Sequence, residues 1–390
     1  MQQTSTFTQL GLERPTKGVP MRTNLLKRSI SLACALLLAV PASAVFACTG
    51  VTLKAGDGSV VFGRTLEWGS FDLMSRVEIV PRGIAYKTHL PDGKAGLSWA
   101  SKYGAVGIDA VGKDMIVEGM NEKGLDVGLF YHPDFAEYET YDPEKAAESL
   151  SPTDLGQYLL TNFATVDEVR AAIAKIRVVA VVEPALGFAP PVHFIVTEPS
   201  GKAIVIEYTK GQVNVFDAPL GVITNAPTYD WHETNLRNYI NLSPVALPEK
   251  KIEDLNFKPL GGGSGMIGLP GDFTPPSRFI RAVAFSQTAR PTATGDETIY
   301  EIFRILDNFN VPLGASEGTG EDKTHGMRSS TIWTSAADTK GRVFYYHTQH
   351  NRRVRKVDLA KIDFGAFHEI WHLPLDKTKA QDIEDVTPSP

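Results

Sequence analysis

The chain has 390 residues, 43% of them apolar and 22% charged, with 39 Lys and Arg against 45 Asp and Glu for a net charge of -6. That length and apolar share supply a large core, enough for one big domain or two. The acidic balance argues against nucleic acid or an anionic membrane as a partner.

Residues 1–47 read as a leader. Arg22, Lys27 and Arg28 precede an apolar run at 30–40, and Pro41-Ala-Ser-Ala-Val-Phe-Ala47 follows, with small residues at Val45 and Ala47 relative to a cut before Cys48. This is the layout of a secretory signal peptide, so the mature protein is expected in the periplasm or outside the cell. The run has 11 residues, about half of the ~20 that span a bilayer, and no later stretch is apolar enough to be a second span. Residues 1–20 carry no such pattern, and Met21 is the expected start. The cut removes five Lys and Arg and one Asp or Glu, leaving 34 against 44 and a charge of about -10. Of the two cysteines, Cys34 falls in the leader. The mature chain therefore has no internal disulfide, and its lone thiol, Cys48, invites a reactive role.

Strand patterns open the mature chain at 49–54 and 59–65 around Ala55-Gly-Asp-Gly58, a hairpin with Cys48 at its start, and again at 115–120 and 125–131 around Asn121-Glu-Lys-Gly124. Helical spacing follows at 154–163 and at 169–176, the second opened by the capping box Thr165-Val-Asp-Glu168. Strand character returns at 192–197, 203–208 and 222–225. Residues 277–287 and 297–309 are helical by spacing, and 330–334, 342–347 and 353–357 are strands. Hairpin sheets with helix pairs between them predict two antiparallel sheets covered by helices, an α+β layered fold. A single amidase domain is expected over 48–372, with a polar, frayed tail over 373–390.

A mature N-terminal cysteine carries a nucleophile and an α-amine on one residue. The amine's reference pKa of about 7.7–8.0 lies well below that of lysine, so it serves as the base that takes the thiol proton. Attack on an amide carbonyl makes an oxyanion, which needs fixed donors such as an Asn amide or backbone N–H groups. An arginine beside the sulfur favours the thiolate and the neutral amine. The chemistry thus asks for an Arg and an Asn.

Cys48-Thr-Gly, Gly63-Arg-Thr-Leu-Glu-Trp68, Gly119-Met-Asn-Glu-Lys-Gly-Leu125, Thr224-Asn-Ala-Pro-Thr-Tyr-Asp-Trp231, and Leu269-Pro-Gly-Asp272 with Ser277-Arg-Phe279 supply both. Together these blocks, spread over 48–359, resemble the choloylglycine hydrolase family of bile salt hydrolases and penicillin V acylases, N-terminal nucleophile hydrolases. The resemblance implies a four-layer αββα sandwich, no cofactor, a small acyl amide as substrate, and a homo-oligomer, often a tetramer. It implies Cys48 as nucleophile and base, Arg64 beside the thiolate, Asn225 in the oxyanion hole, and Arg278 as a second active-site arginine. Glu67 stands where the family commonly has an aspartate that holds the terminal amine, a departure that keeps the charge and moves the carboxylate. The backbone N–H of Phe130 is the implied second oxyanion donor. Bile salt hydrolases usually have asparagine there and Gram-positive penicillin V acylases an aromatic, so Phe130 leans away from bile salts. Trp68, Phe71, Phe130 and Tyr131 are the candidates for lining an apolar acyl pocket.

Trp68 after the carboxylate, together with the export signal, resembles the Gram-negative branch, whose acyl donors are penicillin V and long-chain N-acyl-homoserine lactones. Conjugated bile acids are the alternative substrate. Two other readings of the residues stand beside these: an acylated Cys48 that anchors a binding protein, and a histidine-assisted or metal enzyme. The second would draw on His347 and His350, which are poorly spaced as ligands. The Gly261-Gly-Gly-Ser-Gly265 run lacks the Lys-Ser/Thr of a phosphate loop and reads as a flexible loop.

Overall fold

Two antiparallel sheets organise the residues that the computed structural model describes, 47–69, 72–316 and 329–388. The leader before Ala47 and the pocket candidate Phe71 lie outside the described residues. The strands are β1 Cys48–Lys54, β2 Val60–Trp68, β3 Arg76–Val80, β4 Ala105–Ala110, β5 Lys113–Asn121, β6 Asp126–Tyr131, β7 Val192–Thr197, β8 Ala203–Thr209, β9 Gln212–Asp217, β10 Val222–Ile223, β11 Ser330–Asp338, β12 Val343–Thr348, β13 Arg355–Asp358 and β14 Trp371–Pro374. One sheet runs β10-β1-β2-β11-β12-β13 and the other β9-β8-β7-β6-β5-β4-β3-β14.

Helices α1 Pro152–Asn162 and α2 Val166–Ile173 cover the eight-stranded sheet, and α3 Tyr229–Leu236 leads to α4 Pro275–Thr288 and α5 Gly295–Leu306, which cover the six-stranded one. The order helices, sheet, sheet, helices is the expected four-layer sandwich. Each sheet is thus buried on both faces. In β7, Ile195 joins the core between the sheets while Phe194 and Val196 join the α1 and α2 side, and all six residues of the strand are buried. Burial on both faces makes the strand read as a continuous apolar run.

Local chemistry sets the helix starts. Thr165 accepts from the Glu168 N–H at 3.2 Å while Glu168 Oε2 takes the Ala164 N–H at 2.7 Å. Thr294 and Glu297 repeat the arrangement ahead of α5. Both caps start their helices two or three residues earlier than the apolar spacing alone predicts. The expected tail differs more. Residue 372 falls inside β14, which pairs with β3, and Asp376 accepts from Arg355 at 2.6 Å and from Thr348 at 2.8 Å. Gln381 bonds the backbone of Arg352 and Gln349, and Asp382 pairs with Arg353. The chain is therefore tied down through Asp382, because its polar residues meet the basic loop between β12 and β13.

Gly50 sets how closely the sheets approach beside Cys48. A Cβ there would lie 2.8 Å from Ile223 and Phe62 and 3.0 Å from Phe130, three buried neighbours on both sheets. Gly50→Ala is expected to cost about 1–3 kcal/mol of stability by overpacking, read as a lower thermal midpoint; an unchanged midpoint would show that the sheets separate freely here.

Candidate active site

Strand alternation builds the site around the start of β1. Cys48 pairs with Leu66, and Gly50 with Arg64. Residues three apart on a strand face opposite ways, so Arg64 enters from between the sheets and Glu67 from the helix side. Both act electrostatically on the same thiol because Cys48 sits at the strand's end, where the two faces meet. Burial pushes the Cys48 thiol up, Arg64 and Arg278 pull it down, and Glu67 opposes them.

Arg64 is fully buried and held where the ladder opens. Strands β5 and β6 pair only from Glu118 and Gly128 outward, and the guanidinium fills the gap beyond, donating to Val117 O at 3.1 Å and Leu129 O at 2.6 Å. Its carbon lies 4.0 Å from the centre of the Phe130 ring, and Glu118 Oε2 is 3.6 Å from Nη1. The Nη2 atom has no hydrogen-bond partner among the described residues. Behind it, burial raises the carboxyls of Glu118 and Asp126 together, so this pair retains a proton.

Asn225 and Arg278 hold the backbone of Cys48. In this chain Ala47 is still attached, so the Cys48 nitrogen is an amide and stands in for the amine a cut would create. It donates to Asn225 Oδ1 at 2.9 Å. Arg278, from the first turn of α4, donates to Asn225 Oδ1 at 2.6 Å, to the Cys48 carbonyl and to Thr49 Oγ1 at 2.9 Å. Burial lowers the Arg278 guanidinium to about 10 against the attraction of Glu67 and Cys48, which leaves it charged at neutral pH. Asn225 Nδ2 donates to Tyr131 O at 2.7 Å. Glu67 Oε1 accepts from Thr331 Oγ1 at 2.7 Å, and its Oε2 has no hydrogen-bond partner among the described residues. Burial pushes this carboxyl up to about 7, opposed by Arg278, Thr331, Thr65 and Arg64.

The four predicted polar residues Arg64, Glu67, Asn225 and Arg278 thus converge on Cys48. Trp68 and Tyr131 line a cavity that opens at Cys48, Arg64 and Glu67 and whose walls include Leu73, Val111, Met115 and Leu186; it measures about 630 Å³ with its mouth. Phe130 does neither job expected of it. Its ring packs on Arg64 instead of lining the cavity. Its N–H points away as well: His132 N–H bonds Pro191 O in the same register, and hydrogen-bonded pairs recur every second residue, so Phe130 belongs to the pair with His193. The edge of β6 that faces Asn225 presents Tyr131.

Sequence reasoning missed Thr331 and the deeper wall residues, which lie far along the chain from Cys48 and carry no local signal. It also missed a buried set, His132, His193 and Glu207, close enough together to suggest a metal site. The two rings stack with centroids 4.2 Å apart and planes 1° from parallel. Imidazole lone pairs lie in the ring plane, so parallel rings cannot both aim at one ion about 2.0–2.1 Å away, and the set does not fit a metal.

Comparison with known proteins agrees with this geometry. The family described as linear amide C-N hydrolases, choloylglycine hydrolase family, matches residues 48–376. A bile salt hydrolase/transferase of Clostridium perfringens is 34% identical over 80% of this chain and 93% of its own, and a penicillin V acylase of Pectobacterium atrosepticum is 26% identical over 78% of each. Among solved structures, a variant of the conjugated bile acid hydrolase from Clostridium perfringens superposes with a TM-score of 0.75 at 29% identity, covering 87% of this chain and 100% of that one. Penicillin V acylase from Agrobacterium tumefaciens shares the fold at a TM-score of 0.68 and 23% identity, covering 84% of this chain and 92% of that one. The chain belongs to the choloylglycine hydrolase family of linear amide C-N hydrolases.

Proposed function

We propose that this amidase, once cut before Cys48, hydrolyses acyl amides of the penicillin V or N-acyl-homoserine lactone type through a Cys48 thioester. The observation that carries this reading is the cavity: its one polar end is Cys48 with Arg64 and Glu67, and its remaining walls are almost wholly apolar. An aryl or alkyl acyl group suits such walls, whereas a hydroxylated steroid would leave its hydroxyls unpaired. A second reading, conjugated bile acids, is favoured by the 34% identity to the Clostridium perfringens bile salt hydrolase/transferase against 26% to the Pectobacterium penicillin V acylase. Phe130, buried against Arg64, does not bear on the choice.

In the proposed reaction the Cys48 amine takes the thiol proton and the thiolate attacks the amide carbon. Asn225 bonds Tyr131 through one Nδ2 hydrogen and keeps a second for the oxyanion. The protonated amine returns its proton to the leaving nitrogen, a thioester remains, and water, deprotonated by the same amine, releases the acid. Glu67 Oε2 is placed to hold the new amine. Export to the periplasm or beyond follows from the leader at 21–47, and among the described residues no helix is long and apolar enough to cross a membrane. A homo-oligomer, a tetramer by resemblance, is supported by exposed Ile240, Leu247, Ile252, Leu255, Phe257 and Leu260, and light scattering gives its mass.

Mass spectrometry of the exported protein is expected to find an unmodified Cys48 at the N-terminus; an acylated cysteine or another start ends this reading. Cys48→Ser is expected to fold with little or no turnover, and undiminished turnover removes Cys48 as nucleophile. Asn225→Ala is expected to lower kcat by about 10² to 10³, as for a lost oxyanion donor; an unchanged kcat takes Asn225 out of the hole. Phenoxyacetyl, long-chain acyl-homoserine lactone and glycocholate substrates assayed together decide the acyl class, with glycocholate expected to be the poorest of the three.

A further inference from the structure

Asn225 lies on no regular element, since β10 ends at Ile223 and α3 begins at Tyr229. A catalytic amide on a short connection needs something to hold it. Three buried imidazoles surround this connection. His193 Nε2 lies 3.0 Å from the carbonyl oxygen of Thr224, His232 Nε2 lies 3.0 Å from that of Asn225, and His132 Nε2 lies 3.3 Å from that of Pro227. A carbonyl oxygen only accepts, so each Nε2 carries the hydrogen and donates.

The Thr224 and Asn225 carbonyls belong to the two peptide planes on either side of the Asn225 Cα. Each plane is rigid, so pinning both fixes φ and ψ of Asn225 and the direction of its Cα–Cβ bond. The rings are themselves fixed: His132 and His193 stack on each other, and His232 stacks on Phe279 at 4.7 Å and 12°. Burial first, then neighbouring charges, holds His132 and His193 at about 3 and His232 at about 4, so all three are neutral donors at ordinary pH. With its hydrogen on Nε2, His193 presents a bare Nδ1 to Glu207 Oε1 at 3.1 Å. Glu207, whose carboxyl burial pushes up to about 7, supplies the proton for that contact, and its Oε1 also accepts the Tyr229 N–H at 3.0 Å.

We propose that His193 and His232, assisted by His132, are positioning residues that aim the Asn225 amide at the oxyanion through neutral ring N–H bonds to its flanking peptide planes. The proposal rests on the reading of Asn225 as an oxyanion donor.

The test uses the full chain expressed with its leader, with kcat referred to active sites counted by burst acylation, so that unfolded molecules drop out. His193→Leu and His232→Leu keep bulk and remove the donor; His193→Gln and His232→Gln return an N–H near the Nε2 position. The Leu variants are expected to lose about tenfold in kcat per site from a displaced amide, with KM moving less than about twofold, and the Gln variants to regain most of the loss. In an Asn225→Ala background His232→Leu is expected to cost nothing further, because no amide remains to be aimed. Leu variants with full kcat per site, Gln variants no better than Leu, or a loss that persists undiminished in the Asn225→Ala background each overturn the proposal. Asn225→Ala at full kcat instead sinks the oxyanion reading, and this proposal with it.

Discussion

The triangle of hydrogen bonds among Cys48, Asn225 and Arg278 is the constraint on which the site depends. A residue that becomes a chain end loses the neighbour that would hold it, and an untethered terminus frays. Here the Cys48 nitrogen is held by Asn225 and its carbonyl by Arg278, and Arg278 also bonds Asn225. The three side chains and backbone atoms come from β1, the turn after β10, and α4. No one of them can shift without moving the others, and none of the three contacts needs Ala47.

Charge burial follows from that arrangement. Arg64 and Arg278 are both fully buried, a costly state unless hydrogen bonds and counter-charges surround the guanidinium. For Arg64 the opened ladder supplies carbonyls, Phe130 supplies a ring face, and Glu118 supplies the charge. Gly128 makes this possible, because a Cβ there would come within 2.6 Å of Glu118 Oε2. The two carboxyls behind Arg64 retain a proton between them, so one negative charge and not two faces the guanidinium. Neutral histidines do the equivalent work around Asn225, supplying donors without adding charge.

Much of this was legible in the sequence, for physical reasons that can be named. The β1–β2 hairpin announced itself by alternation and a glycine turn, and Cys48, Arg64 and Glu67 lie within it, so their convergence is a local property. Asn225 and Arg278 were found only because their surrounding motifs resemble a family; nothing local brings them 177 and 230 residues back to Cys48. The edge strands β9 and β14 went unread, since one is half-exposed along its length and the other is four residues ending in proline. Phe130 was misassigned because sequence places a residue on a strand without saying which edge its N–H faces. Thr331 and the three histidines were invisible because their partners are distant backbone or side-chain atoms.

Ala47 occupies the point at which the proposed cut before Cys48 would act. Its carbonyl accepts the Glu67 N–H at 2.9 Å, extending the β1–β2 ladder one residue past Cys48, and in this state the buried thiol is pushed up and has no amine beside it. In the proposed mechanism a cut before Cys48 removes that carbonyl and places a titratable nitrogen at the same point. Burial and the two arginines favour the neutral amine, while Glu67 favours the ammonium. In that mechanism the amine, with a reference pKa of about 7.7–8.0, is the group that accepts the thiol proton, and the same cut that exposes the nucleophile also creates its base.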